Sequence, residues 1–320
     1  MENKRLRVGG LLLSSNVLMA PLAGYTCYPF RMLAYEMGAG LCFTEMSSAN
    51  ALKYSDRATR RLLFTTREEP VRAVQLLGGD PAVMAQMASS ELLKDFDIID
   101  INMGCPVPNV FKSGEGSALM ADSKRAAAII RGCRKSGKIV TVKCRTGIRE
   151  EHMFAAEFAR MCEEAGADMI TIHGRSRSMM YDGACRYEEI AQAKAAVSIP
   201  VIANGGIFSA EDAELMMERT GADGVMIARY ALEDPFIFSR LTQKAVKKTT
   251  LQILLEQLEL AAACYDETFT IRYIQKLASY GMKKRKGTKQ YKERMYRCGS
   301  LEELREMVVQ IFSEDMEKGK

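Results

Sequence analysis

Residues 199–229, IPVIANGGIFSAEDAELMMERTGADGVMIAR, decide the fold. Within them, 201–204 and 224–228 are short runs of small and β-branched apolar residues. They lack the polar alternation of a strand with one wet face, so they read as strands covered on both sides. Between them, 210–220 has the spacing of an amphipathic helix and stops at Gly221, a residue suited to closing a helix before a new strand. Strand, helix and strand in about thirty residues make a parallel crossover unit.

The same unit recurs along the chain. Strands are expected at 17–20, 41–45, 71–77, 98–102, 139–143, 169–173, 201–204 and 224–228. Helices are expected at 29–37, 81–94, 123–135, 151–165, 187–196 and 210–220, and Gly166 closes a helix as Gly221 does. Eight strands in alternating βα order predict a closed (β/α)8 TIM barrel. An open doubly wound sheet is the competing arrangement. Its GxGxxG fingerprint is missing after the first strand, where Ala20-Pro21-Leu22-Ala23-Gly24 stands. Beyond residue 243 the strand signal ends, 244–250 reads as a linker, and 251–320 is helical throughout. The expected organisation is an α/β barrel over 1–243 with a C-terminal all-helical domain over 244–320.

Composition narrows the function classes. With 48% hydrophobic and 27% charged residues, the chain can bury a large core and is not of disordered type. A net charge of +5 does not by itself mark a nucleic-acid binder. Nine cysteines, an odd number without CxxC pairs, argue against a disulfide framework or a zinc site and suit a reducing cytoplasm. No metal is expected. Lys4, Arg5 and Arg7 precede Leu11, Leu12 and Leu13 as in a leader, but Ser14, Ser15 and Asn16 break the apolar run. No run of about 18 apolar residues exists, so no membrane span is expected. The expected location is the cytoplasm, and no protein partner is implied.

In such a barrel the chemistry sits in the loops after the strands. Asn204-Gly205-Gly206 and Ala228-Arg229 follow the last two strands, where phosphate sites are commonly built. Glycine lets the backbone approach a phosphate closely and Arg229 can add charge; the alternative is a plain tight turn. Gln75, Lys143 and His173 lie at strand ends, where a planar ring's polar groups could be met. A lysine beside a flavin's pyrimidine edge would stabilise negative charge on the reduced ring. The alternatives are an ion pair of Lys143 with Glu45, and a satisfied core histidine for His173. Cys105 sits in a Gly-Cys-Pro turn directly after the fourth strand. With an ordinary pKa of about 8.5 it stays a thiol at neutral pH, a competent general acid. Cys27, Cys42 and Cys144 are expected to pack.

Taken together, these loops resemble those of the tRNA-dihydrouridine synthases. The residues that carry the resemblance are Ala20-Pro21-Leu22-Ala23-Gly24, Asp100-Ile101-Asn102-Met103-Gly104-Cys105-Pro106, Gly116-Ser117-Ala118-Leu119-Met120, Lys143-Cys144-Arg145-Thr146-Gly147, Thr171-Ile172-His173-Gly174-Arg175 and Ile199-Pro200-Val201-Ile202-Ala203-Asn204-Gly205. The resemblance implies a TIM barrel binding FMN, with NADPH as reductant. It implies flavin contacts from Pro21, Leu22, Ala23, Gln75, Lys143, His173, Asn204, Gly205, Gly206, Ala228 and Arg229. It implies that Cys105 protonates carbon 5 of a uracil that takes hydride at carbon 6, that Asn102 positions the uracil, and that Arg145 and Arg175 face the substrate. Three positions depart from the family pattern: Leu22 stands for methionine, Gly206 for an acidic residue and Ala228 for glycine.

Residues 272–297 hold Arg272, Lys276, Lys283, Lys284, Arg285, Lys286, Lys289, Lys292, Arg294 and Arg297 against one acid, Glu293. Tyr273, Tyr280, Tyr291 and Tyr296 are interleaved, and Arg272, Lys276 and Lys283 have helical spacing. Beside a reductase barrel, this patch predicts contact with an RNA phosphate backbone, and tRNA is the expected partner. The target uridine would be turned out of its stack into the barrel mouth. The same chemistry on ribosomal RNA, and a flavin-dependent reductase of a free pyrimidine, are the competing readings.

Overall fold

The structure is a computed structural model and describes residues 4–54, 57–283 and 288–313. Eight strand positions ring the centre: β1 (Val17–Met19), β2 (Leu41–Cys42), β3 (Ala73–Leu77), β4 (Ile98–Met103), β5 (Ile139–Arg145), β6 (Met169–His173), β7 (Val201–Asn204) and β8 (Gly224–Ile227). All ladders are parallel, and β8 returns to β1 through the pairs Val225–Val17, Met226–Leu18 and Ile227–Met19. The fold is the expected TIM barrel.

The second position differs from the expected 41–45. β2 stops at Cys42, and a separate pair, Ser47–Ser48, joins β3. Phe43 bridges to Ala73, and Thr44 donates its N–H to the Ala73 carbonyl at 2.9 Å, so the ring closes across the break. The bend frees Glu45 from the ladder, and its carboxylate accepts the N–H of Gly24.

Around the ring lie α1 (Tyr28–Met37), α2 (Pro81–Ala88), α3 (Ser123–Arg134), α4 (Ala155–Glu164), α5 (Tyr187–Ala196), α6 (Ala210–Thr220) and α7 (Ile237–Thr242). Two expected helices are shorter than their apolar spacing suggested. The 81–94 segment ends at Ala88 and resumes as a single tight turn, Glu91–Leu93, after Ser89 and Ser90. The 151–165 segment begins only at Ala155, because Gly147–Arg149 and His152–Met153 pair as a small antiparallel ribbon. Phe154 donates its N–H to the Thr146 carbonyl at 2.9 Å, which ties the chain back to the end of β5 before a helix can start. His152 therefore lies in that ribbon, not at a helix start.

The leucine-rich N-terminal segment forms a hairpin, Leu6–Val8 against Leu11–Leu13. Leu6, Val8 and Leu13 are buried with Leu18, Leu41, Ile98, Met169, Ile202 and Met226, which are barrel-interior residues. The hairpin thus plugs the barrel beneath its core, burying apolar surface that would otherwise face water.

After β8 the chain is helical: a turn at Tyr230–Glu233, then α7, then α8 (Thr250–Cys264), α9 (Glu267–Gly281), α10 (Lys289–Met295) and α11 (Leu301–Ser313). A reciprocal capping box opens α8. Thr249 Oγ accepts the Gln252 N–H at 3.2 Å, and Gln252 Oε1 accepts the Thr249 N–H at 2.8 Å. α8 packs on α1, and α9 packs on the turn after β8. One apolar core runs unbroken from Phe30 and Leu33 to Ile253, Leu258, Ile274 and Val308. Among the described residues no helix is long and apolar enough to cross a membrane.

Candidate active site

A cavity of about 310 Å3 opens at the C-terminal ends of the strands. Its wall brings together Pro21, Leu22 and Ala23 after β1, Gln75 on β3, Asn102 and Cys105 at the end of β4, and Lys143 and Arg145 on β5. His173 and Arg175 come from β6 and its loop, Asn204, Gly205 and Gly206 from β7, and Ala228 and Arg229 from β8. Residues distant in sequence meet because each follows a strand that ends on the same rim.

The upper barrel interior is polar. Lys143 Nζ donates to Asn204 Oδ1 at 3.0 Å, and Asn204 Nδ2 donates to the Met226 carbonyl at 2.8 Å. Glu45 is committed to Gly24, so it does not pair with Lys143. Burial pulls the Lys143 ammonium down to about 8, and the charge of Arg145 adds to that. Burial also pushes His173 well below the usual imidazole value, helped by Lys143, Arg145, Arg175 and Arg229. The ring is therefore neutral at pH 7. Its Nδ1 is buried without a hydrogen-bond partner among the described residues, so His173 is not a satisfied core histidine.

Gly205 and Gly206 have φ of +109° and +68°. A Cβ on Gly205 would lie 3.0 Å from Cys185 Sγ and 3.1 Å from His173 Nε2. Only glycine fits, and the result is a bare backbone shelf beside the cationic Arg229. The Arg229 guanidinium lies 4.7 Å from the ring centre of Tyr181, and that of Arg145 lies 5.5 Å from it.

Cys105 is held by its backbone. Asn102 Oδ1 accepts the N–H groups of Gly104 and Cys105 at 3.1 and 2.9 Å. The Cys105 carbonyl accepts the Ser117 N–H at 3.1 Å and the Ser117 hydroxyl at 2.8 Å. The thiol is partly exposed to the cavity, and among the described residues no base hydrogen-bonds to it. Cys27, Cys42 and Cys144 are buried, and all nine cysteines are free thiols. Arg145 lines the cavity but spends Nε on the Gly104 carbonyl and Nη1 on those of Ser176 and Met180, at 2.8, 2.9 and 2.7 Å. Arg175 Nε donates to the Gly183 carbonyl at 2.9 Å. Arg145 thereby clips the long loop after β6 to the rim, and Arg175 ties that loop to itself.

Sequence reasoning did not single out Tyr181 or Met46, which also line the cavity. The length of the loop between β6 and α5 was the available signal for Tyr181, since long loops in compact domains tend to be functional. Among the described residues, no group of His, Cys, Asp or Glu side chains could hold a metal ion.

Arg272 and Lys276 lie exposed on α9, away from the cavity wall. Lys283 lies past the end of α9 at Gly281 and pairs with Glu233, so the helical spacing does not extend to it. Lys284, Arg285 and Lys286 lie outside the described residues. Lys289, Arg294 and Arg297 are exposed. Tyr273 is core, its hydroxyl bonded to Gln257. Tyr280 packs edge-on against Tyr25 at 5.6 Å, and Lys276 Nζ sits 5.5 Å from the Tyr25 ring centre.

A sequence model of the family described as "Dihydrouridine synthase (Dus)" matches residues 18–319. The chain is 34% identical to tRNA-dihydrouridine synthase B of Pseudomonas aeruginosa, over 98% of each. It is 40% identical to tRNA-dihydrouridine synthase B of Klebsiella pneumoniae, over 74% of each. Among solved structures it resembles morphinone reductase, with a TM-score of 0.56, 14% identity, and coverage of 76% of this chain and 89% of that one. It also resembles histamine dehydrogenase from Rhizobium sp. 4-9, with a TM-score of 0.57 and 13% identity, over 80% of this chain and 50% of that one. At such identities the structural likenesses bear on the fold alone.

Proposed function

The chain belongs to the dihydrouridine synthase family, and from that premise we propose that it reduces the C5–C6 double bond of a uridine in tRNA, with FMN as cofactor, NADPH as reductant and Cys105 as proton donor. The observation that carries this reading is the cavity itself: one thiol, one neutral imidazole, one buried lysine and one glycine shelf on a single barrel rim.

The residues suit a flavin. The unpartnered His173 Nδ1 and the Lys143 ammonium, with Asn204 as its acceptor, leave polar capacity for a ring edge. Gly205 and Gly206, with Arg229, form a shelf for a phosphate. Pro21, Leu22, Ala23, Gln75 and Ala228 line the same cavity and would hold the flavin, the first three against its ring, Gln75 at a polar edge and Ala228 beside its phosphate. A bound flavin, reduced by NADPH, would supply the hydride for carbon 6. Cys105 gives its proton to carbon 5 and is left as a thiolate, which regains a proton from solvent at the mouth. The hydride's electron pair forms the C6–H bond, and the former π pair of C5–C6 takes the thiol's proton to form the C5–H bond. Asn102 positions the uracil, and Arg145 and Arg175 shape the substrate side.

The helical region carries RNA. Arg272, Lys276 and Lys283, with the exposed bases of α10, would contact phosphates while the uridine is turned into the mouth. A region comprising 244–320 then serves as the RNA-binding part of the enzyme.

Cys105→Ala tests the chemistry. The variant keeps its flavin and the reduction of that flavin by NADPH, while dihydrouridine formation in unmodified tRNA falls by roughly 100-fold or more. Dihydrouridine formed at the wild-type rate would remove Cys105 from the reaction. Turnover of free uridine equal to that of tRNA would replace the RNA reading with that of a free-pyrimidine reductase.

A further inference from the structure

We infer that Asp100, one layer below the cavity, is a positioning residue that sets the turn bearing Cys105 through Gln75 and Asn102. This rests on the reading of Cys105 as proton donor. Asp100 is 1% exposed and is register partner to Gln75 on β3 and Thr141 on β5. Its Oδ1 accepts the Thr141 hydroxyl at 2.6 Å and its Oδ2 accepts Gln75 Nε2 at 2.7 Å. Gln75 Oε1 in turn accepts Asn102 Nδ2 at 2.9 Å. Asn102 Oδ1 then receives the N–H groups of Gly104 and Cys105. Three side chains in series thus run from the buried carboxylate to the peptide N–H of Cys105.

The direction of that series is fixed at its buried end. An ionised carboxylate only accepts, so it turns the Gln75 amide with its nitrogen inward. That presents the Gln75 carbonyl to Asn102, which must offer nitrogen and keep its own carbonyl for the turn. A reversed Gln75 would set two donors against each other at Asn102. Burial raises the Asp100 carboxyl to about 6, against hydrogen bonds from Thr141 and Gln75 and the nearby charge of Lys143. Donors meet both of its oxygens, which favours the carboxylate form, and an apolar residue would be easier to bury there. The carboxylate's distinctive contribution is to orient two amides that could otherwise flip. The far side of the turn is held independently, by Ser117 on the Cys105 carbonyl.

The test compares Asp100→Ala, Asp100→Asn and Thr141→Val in the flavin-loaded enzyme. One readout is the rate of Cys105 alkylation by iodoacetamide, measured on its own peptide by mass spectrometry. The others are flavin reduction by NADPH and dihydrouridine formation in single turnover. In Asp100→Ala, Cys105 alkylation changes by roughly fivefold or more and product formation falls by roughly tenfold or more, because a small misplacement of a reacting group is costly. Flavin reduction falls by much less than product formation does, since Asp100 meets the proposed flavin contacts only through Gln75. Asp100→Asn restores alkylation and product formation only in part, because an amide can turn either its carbonyl or its nitrogen toward Gln75 and so no longer fixes the direction of the series. Thr141→Val leaves alkylation unchanged, since the Gln75 link survives. Should Asp100→Ala fail to fold, Asn102→Asp cuts the series at its middle link, from Asn102 to Gln75, while keeping an acceptor for the turn, and it shifts alkylation in the same way. Unchanged Cys105 alkylation in Asp100→Ala overturns the inference, as does an Asp100→Asn enzyme that matches the wild type in both readouts. The alkylation arm needs no RNA, so it stands even if the proposed substrate is wrong.

Discussion

At the scale of single residues, the site is expensive for the fold. Lys143 puts an ammonium where burial pulls it down to about 8. Its folded value lies below its unfolded one, so its contribution to stability is fully present above about pH 10.5 and is lost as pH falls through 8. Denaturant unfolding of the wild type and Lys143→Met, without cofactor, at pH 7.5 and 10 measures this. The wild type should gain on the order of 2 kcal/mol relative to the variant over that range. No relative gain would mean that the ammonium is solvated in the cavity. His173 was legible because it is a polar residue ending an apolar run, and that end of a parallel barrel strand is the rim. Gln75 and Lys143 lie inside their strands rather than at the expected ends, and were legible only as polar residues within apolar runs. Tyr181 was not legible, because a guanidinium on each side of it comes from another strand or loop. Nor was the role of Arg145 as a clip: it depends on carbonyls in two other segments, which no local pattern reveals.

At the scale of elements, the loop after β7 decides whether the cavity can take an anion. Gly205→Ala meets both a disfavoured φ and a crowded Cβ. It should cost about 1–3 kcal/mol of stability and abolish flavin retention on gel filtration. Gly137→Ala pays only for its φ of +76°, since nothing lies near its Cβ, and it should keep the flavin. If both variants retain flavin equally, the shelf does not hold the phosphate. Most elements were readable, since β6 and β7 fill their expected spans and α6 ends at Gly221 as predicted. These misses share one physical cause, in that pairing with another strand, near or far in sequence, overrode the apolar spacing. Ser47–Ser48 is a strand because β3 lies beside it, and 147–153 is a ribbon because it pairs with itself. The leucines at 11–13 become a strand by pairing with 6–8 over the barrel floor.

At the scale of the whole molecule, the basic cluster was legible as charge but not as a face. Spacing alone did not show that Tyr273 turns inward or that Lys283 spends its charge on Glu233. Replacing Lys289, Lys292 and Arg297 together with alanine should weaken tRNA binding at low salt by roughly tenfold. It should also reduce the slope of log affinity against log salt by about 2 to 3. An unchanged slope would place the RNA elsewhere. The helical region also touches the loop after β1 directly, through Lys276 and Tyr280 on Tyr25. The hairpin stopper has a consequence for kinetics. With the barrel floor sealed by Leu6, Val8 and Leu13, the cavity opens on the side of the strands' C-terminal ends. On the proposed reading, reductant and RNA must take turns there: double-reciprocal plots should run parallel at low concentrations, and each substrate in excess should become a competitive inhibitor of the other.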